Sequence, residues 1–89
     1  MYFVYLLQSQ KDFQWYTGFT ENIEQRLSSH NAGKNISTAE RRPWVMIYYE
    51  AYLNKSDALG RERFLKSGSG HRFLRKQLQN FFNPTINPS

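Results

Sequence analysis

Among its 89 residues the chain has no cysteine. Disulfides and cysteine-ligated zinc sites are therefore excluded, and a reducing compartment is permitted. No apolar run approaches the roughly 20 residues of a membrane span. The opening "MYFVYLLQSQ" lacks the basic stretch and small-residue cleavage site of a signal peptide, which sets a cytoplasmic expectation. There is no glycine-rich phosphate loop and no Walker lysine motif. Two histidines far apart, without cysteine, make no zinc site. No serine sits in a nucleophile elbow, and no aromatic signature of an RNA-recognition motif is present. The last 13 residues carry no charged side chain.

What the chain does have is aromatic residues, at 17%, and positive charge, at a net +5. A chain of this length forms one small domain that buries about 60–65% of its unfolded surface. The charge is unevenly placed. Residues 1–40 hold three Lys/Arg against four Asp/Glu, whereas residues 41–76 hold nine against three. A basic segment of that kind suits a polyanion such as nucleic acid. Chance also makes many proteins mildly basic, so charge alone leaves the partner open.

The pattern predicts an α+β domain. "YFVYLLQS" is β-branched and aromatic and reads as a strand over residues 2–8. "WYTGF" resumes a short strand ending at Gly18, antiparallel to the first. Thr20 is the expected N-cap of a helix with Glu21 in its first turn, running to Asn31 and closed by a left-handed Gly33. "KNISTAERRP" has no clean period and reads as a loop ending at Pro43. "WVMIYYEAY" is a strand over 44–52, and "NKSD" starts a second helix that runs to Lys66. Ser67-Gly68-Ser69-Gly70 reads as a break before a third helix, "HRFLRKQLQNFF", with Phe73, Leu74, Leu78 and Phe81 apolar. The order is ββαβαα: a small three-stranded antiparallel sheet flanked by helices. One domain covers 1–82, with a polar tail over 83–89.

Helical spacing then singles out side chains. At about 100° per residue, Ile23 and Leu27 mark the buried face of the first helix, His30 lies close to it and Arg26 at its edge. Arg26 and His30 are one turn apart and can share a cleft. Read singly, Arg26 is a rim residue lying on the core and His30 a satisfied, partly buried histidine. On the second helix Glu62 falls on the apolar face of Ala58, Leu59 and Leu65. A carboxylate there needs a partner, either an arginine or a divalent cation. Strand tyrosines Tyr5, Tyr16, Tyr48, Tyr49 and Tyr52 are ordinarily packing residues. A phenol beside a cation and a phosphate can also act as acid or base.

Taken in order, "FVYLL", "WYTGFT", "RLSSHNAG", "RRPWVMIYYE" and "ALGRERFLKSG" resemble the GIY-YIG nuclease family over residues 2–76. The resemblance is to its small single-domain bacterial branch, akin to the nuclease domain of the excision-repair C subunit. It implies a sheet with the first strand central. It also implies a DNA endonuclease that hydrolyses phosphodiesters with one divalent cation, Mg²⁺ or Mn²⁺, in a setting of DNA repair or recombination. A DNA-binding module of the same fold that does not cut is the alternative. By the same resemblance Tyr5, Tyr16, Arg26, His30 and Glu62 are the catalytic residues, with Glu62 holding the metal. Arg26 would stabilise the transition-state charge, and Tyr5 would take the proton of the attacking water, directly or through a neighbour. Tyr16 and His30 would position water and phosphate. A phenol near pKa 10 is a poor base, so metal and arginine are expected to lower it. Arg61, Arg63, Lys66, Arg72, Arg75 and Lys76 would grip flanking phosphates. Two departures stand out. Phe3 occupies the place of the family's first Gly, and the family's late asparagine falls by position on Asn80, or less well on Asn83.

Overall fold

The computed structural model describes residues 1–84. Three strands, β1 (Tyr2–Ser9), β2 (Trp15–Thr20) and β3 (Trp44–Tyr52), form one antiparallel sheet in the order β2-β1-β3. Helices α1 (Ile23–Asn31) and α2 (Ile36–Ala39) lie between β2 and β3, and α3 (Lys55–Leu65), α4 (Gly68–Gln77) and α5 (Gln79–Phe82) follow β3. The α+β class and the central first strand match the expectation. No helix among the described residues is long and apolar enough to cross a membrane. Of the expected polar tail, Asn83 and Pro84 are exposed, and the remainder lies outside the described residues.

Because β1 is central, both of its faces are covered, and Val4, Tyr5, Leu6 and Leu7 are all buried. Period-two alternation sends them to two cores. Val4 and Leu6 pack with Ala58 and Leu65 of α3 and Leu74 of α4. Tyr5 and Leu7 pack with Trp44, flanked by Tyr16, Leu27 and Met46, beneath α1. The sheet therefore separates a core whose fully buried side chains are all aliphatic from one that buries a tyrosine.

Several boundaries differ from the sequence reading, each for a local reason. Strand β2 continues past Gly18 to Thr20, because Phe19 and Thr20 still pair with Val4 and Phe3. The helix cap consequently moves to Asn22, whose side chain accepts the Gln25 N–H at 3.0 Å, and Glu24 rather than Glu21 occupies the first turn. Gly33 does take a left-handed conformation, at φ 77. The expected loop 34–43 contains the one-turn helix α2, capped by the Asn35 side chain on Ser37 N. The Ser-Gly-Ser-Gly stretch is a restart: Ser67 caps α4 by accepting the Gly70 N–H at 3.1 Å. Gly70 is required there because a Cβ would stand 2.0 Å from the Phe64 carbonyl oxygen, so α4 begins in contact with the end of α3. The third helix is divided at Leu78, and Phe82 stacks on Trp15 while Phe81 is exposed.

Candidate active site

Tyr5 faces Gly18 across the β1–β2 pair. The phenol lies flat over that glycine, and a Cβ on residue 18 would stand 2.3 Å from the Tyr5 oxygen. The Tyr-Thr-Gly step thus opens a slot for the Tyr5 side chain. At the far end of the slot the Tyr5 hydroxyl and His30 Nε2 are hydrogen-bonded at 3.0 Å, and His30 Nδ1 meets Thr38 Oγ1 at 2.8 Å. Tyr16 closes the group: its ring meets the His30 ring edge-on at 4.9 Å and lies tilted to Tyr5 at 6.4 Å. Tyr5, His30 and Thr38 are all buried.

Helix α1 and the α2 turn hold these groups by polar ties to β3. Asn31, the last residue of α1, accepts the Trp44 N–H at 2.7 Å and donates to the Trp44 carbonyl at 3.0 Å. The Trp44 indole donates to the Thr38 carbonyl at 2.9 Å. Thr38 was absent from the residues singled out by sequence. The Asn35 cap, in Asn-Ile-Ser-Thr, was the one local sign of an ordered turn there.

Burial pushes the Tyr5 phenol well above its ordinary pKa, and the Tyr16 phenol beside it adds to the rise. The Arg26 charge works against this and the Glu62 charge adds to it. Of the two charges expected to lower this phenol, Arg26 does so, but desolvation outweighs it, and Tyr5 is a protonated hydroxyl near neutral pH. Burial holds the His30 imidazole below its usual 6.5, with the Arg26 charge acting in the same direction. Tyr5 and His30 are thus a neutral phenol–imidazole pair.

Arg26 is exposed and lines an open depression of about 250 Å³ with Thr20, Asn22, Gln25 and Ser29. The Glu62 side chain is 18% exposed and pairs with Lys66, one turn on at the C-cap of α3, at 3.1 Å. Beside Tyr5 the sheet is uncovered: Tyr49, in register with Tyr5 on β3, is 56% exposed and meets Phe3 edge-on at 6.1 Å.

The expected phosphate-gripping cations divide. Arg61 is committed elsewhere: it forms two hydrogen bonds with Glu50, at 2.8 and 3.0 Å, and its guanidinium lies over the rings of Phe73 and Phe64. Tyr48 and Tyr52 donate to the same carboxylate. Lys66 is shared with Glu62. Arg63, Arg72, Arg75 and Lys76 are exposed, with Arg75 resting on the Trp15 ring. The last three lie on α4, which covers the sheet face opposite Tyr5. Asn80 is exposed on α5, and Asn83 donates to the Gln79 carbonyl at 3.3 Å. Neither is joined to the Tyr5 group.

Residues 1–76 match the family model of the GIY-YIG catalytic domain. The chain is 41% identical over 75 residues to a UPF0213 protein of Staphylococcus haemolyticus, covering 83% of this chain and 90% of that one. A UPF0213 protein of Lacticaseibacillus paracasei is 39% identical over 72 residues, 80% of each chain. One of Clostridium perfringens is 40% identical over 67 residues, 74% of this chain and 71% of that relative.

Proposed function

The chain belongs to the GIY-YIG family, and from that premise we propose that it is a divalent-metal-dependent endonuclease cutting phosphodiesters in DNA. The observation that carries this reading is the buried Tyr5–His30 hydrogen bond, with the Arg26 charge acting on both partners. A structural tyrosine needs none of these neighbours.

The residues present fit one divalent cation. Mg²⁺ commonly takes one or two carboxylates and completes its shell with water and phosphate oxygens. Glu62 is such a carboxylate, and no group of three or more acidic or histidine ligands occurs among the described residues. Its pairing with Lys66 is a surface i,i+4 contact worth well under 1 kcal/mol, which a cation would displace. When bound, the metal would neutralise charge on a nonbridging oxygen and on the leaving 3′ oxygen.

The chain's own groups supply the rest. As water attacks phosphorus, it gives its proton to the Tyr5 oxygen while Tyr5 passes its own proton to His30 Nε2. Tyr5 alone, a phenol with a raised pKa, is a poor base; coupled to a neutral imidazole it becomes a proton conduit. Arg26, exposed at the rim, presents its planar fork to the phosphate oxygens as they gain charge. The strand lies in the depression lined by Thr20, Asn22, Gln25 and Ser29. Arg63 holds a flanking phosphate without reading sequence, and Arg72, Arg75 and Lys76, on the opposite face, hold phosphates where the DNA bends past the site. The activity belongs to the cytoplasm and to the processing of DNA in repair or recombination.

A second reading, a DNA-binding module without catalysis, is favoured by one observation: Asn80 lies exposed on α5, which packs through Phe82 on Trp15. The test is incubation with linear, nicked, flapped and branched DNAs and with RNA, in Mg²⁺ or Mn²⁺. Cleavage by the wild type, abolished by chelation and by Glu62→Ala, is the expected result. Salt-sensitive binding with no cleavage of any substrate would leave the binding module.

A further inference from the structure

We propose that Thr38 is a positioning residue: its hydroxyl holds His30 in the tautomer protonated at Nδ1, so that Nε2 is free to receive the Tyr5 proton. The role in cleavage rests on the nuclease reading; the tautomer does not.

The hydrogen-bond inventory decides the direction of the chain. The Tyr5 hydroxyl is buried and protonated, and among the described residues its hydrogen-bond partner is His30 Nε2. A protonated phenol needs an acceptor there, so Nε2 must carry a lone pair. A neutral imidazole then has its proton at Nδ1, which points at Thr38 Oγ1, 2.8 Å away. That oxygen can accept because its own hydrogen has somewhere else to go: the Asn35 carbonyl, at 3.3 Å. Each donor thus finds one acceptor, and the chain Tyr5 to His30 to Thr38 ends on a backbone carbonyl. The reverse order has Thr38 donating to Nδ1 and Nε2–H donating to Tyr5, and it leaves the phenolic hydrogen without an acceptor among the described residues. In a buried group that omission costs the full desolvation of the donor.

Thr38 is fixed well enough to do this. Its N–H donates to the Asn35 carbonyl at 3.2 Å, and its own carbonyl accepts from Trp44 Nε1 at 2.9 Å and from Arg41 N at 3.2 Å. It is fully buried, so water does not compete for His30 Nδ1. The one-turn helix α2, which no periodic signal predicts, acquires a purpose: it delivers one hydroxyl to one imidazole nitrogen.

The proton balance of the step follows. Water loses a proton to the Tyr5 oxygen, the Tyr5 O–H bond breaks as Nε2–H forms, and the hydroxide adds to phosphorus as the bond to the 3′ oxygen breaks, the departing 3′ alkoxide taking a proton from solvent water. His30 ends as an imidazolium with Nδ1–H still on Thr38. An imidazole starting as the Nε2–H form has no lone pair facing Tyr5 and cannot take part.

The experiment is ¹⁵N NMR of the histidine side chains in the full chain, with single-turnover cleavage of the substrate identified by the nucleic-acid panel. The chain has two histidines, so the His30 signals are separable from those of His71. The expected wild-type pattern has a protonated Nδ1 and a bare Nε2 at neutral pH. Thr38→Val keeps the shape and removes the hydroxyl; it should move His30 toward the Nε2–H form and slow cleavage about 10–100-fold, the scale for losing a group that orients a working imidazole. Thr38→Ser should restore both tautomer and rate even if it melts lower, which a purely structural role would not produce. A bare Nδ1 in the wild type, or an unchanged tautomer and rate in folded Thr38→Val, would overturn the proposal. A wild type that cuts nothing yet shows the Nδ1–H form would defeat the nuclease reading and leave the tautomer lock standing.

Discussion

Gly18 has no Cβ, and the Tyr5 phenol occupies the space one would fill. Gly18→Ala should therefore act on Tyr5 more than on the strand. Overpacking of this kind costs about 1–3 kcal/mol, measurable as a lower urea midpoint, and the variant should lose cleavage beyond its loss of folded molecules. The neighbouring imidazole makes a pH prediction. His30 lies below its usual 6.5, and it must be neutral to take the Tyr5 proton. Single-turnover rates per folded molecule should hold as pH falls through 6.5 and decline only below it. A decline centred above 6.5 would remove His30 from the proton path. At this scale the sequence was most legible where side chains follow a helical or strand period, as for Arg26, His30 and Glu62. Thr38 escaped because its segment has no period. Arg61 was misjudged because a charge count does not see Glu50, eleven residues away and brought close only by the packing of α3 on β3.

Strand β3 and helix α3 are joined through the Glu50 carboxylate. Burial works against its charge, but hydrogen bonds from Arg61, Tyr48 and Tyr52 outweigh that and hold its pKa below the ordinary value. Glu50→Gln should cost about 2 kcal/mol at pH 7, the range for hydrogen bonds to a charged group. A carboxyl with a lowered folded pKa contributes its stability above the unfolded value and loses it as pH falls through the folded one. The gap in melting temperature between wild type and Glu50→Gln should accordingly narrow below about pH 4.5. The β1–β2 turn carries a different signature: Phe13 sits at φ 61 and is 64% exposed. A bulky side chain in that region costs about 1–2 kcal/mol, and Phe13→Asn should recover part of it as a rise of several degrees in melting temperature. Element types were readable from apolar and aromatic runs, but their ends were not. The extension of β2 to Thr20 follows from pairing with Phe3, and the start of α4 from its contact with α3, both long-range facts.

Across the whole molecule, the sheet divides the labour. One face is closed by α3 and α4 over Val4 and Leu6, and the other carries Tyr5, partly open around Tyr49 and Phe3. The basic excess at residues 41–76 is smaller in effect than its count suggests, since Arg61 is neutralised and Lys66 shared. With about four free cations in contact, affinity for DNA should fall about 100-fold between 50 and 200 mM salt, and an affinity indifferent to salt would exclude phosphate contacts as the grip. Cleavage at this site depends on the Arg26 side chain working on the phosphate. Because Arg26 is exposed, its removal leaves both cores intact, and the direct measurement is single-turnover cleavage by Arg26→Ala at saturating protein in Mg²⁺ or Mn²⁺. A rate about 10²–10³ lower, with an unchanged melting temperature and nearly unchanged DNA affinity, is the expected result. A wild-type rate in the folded variant would contradict it.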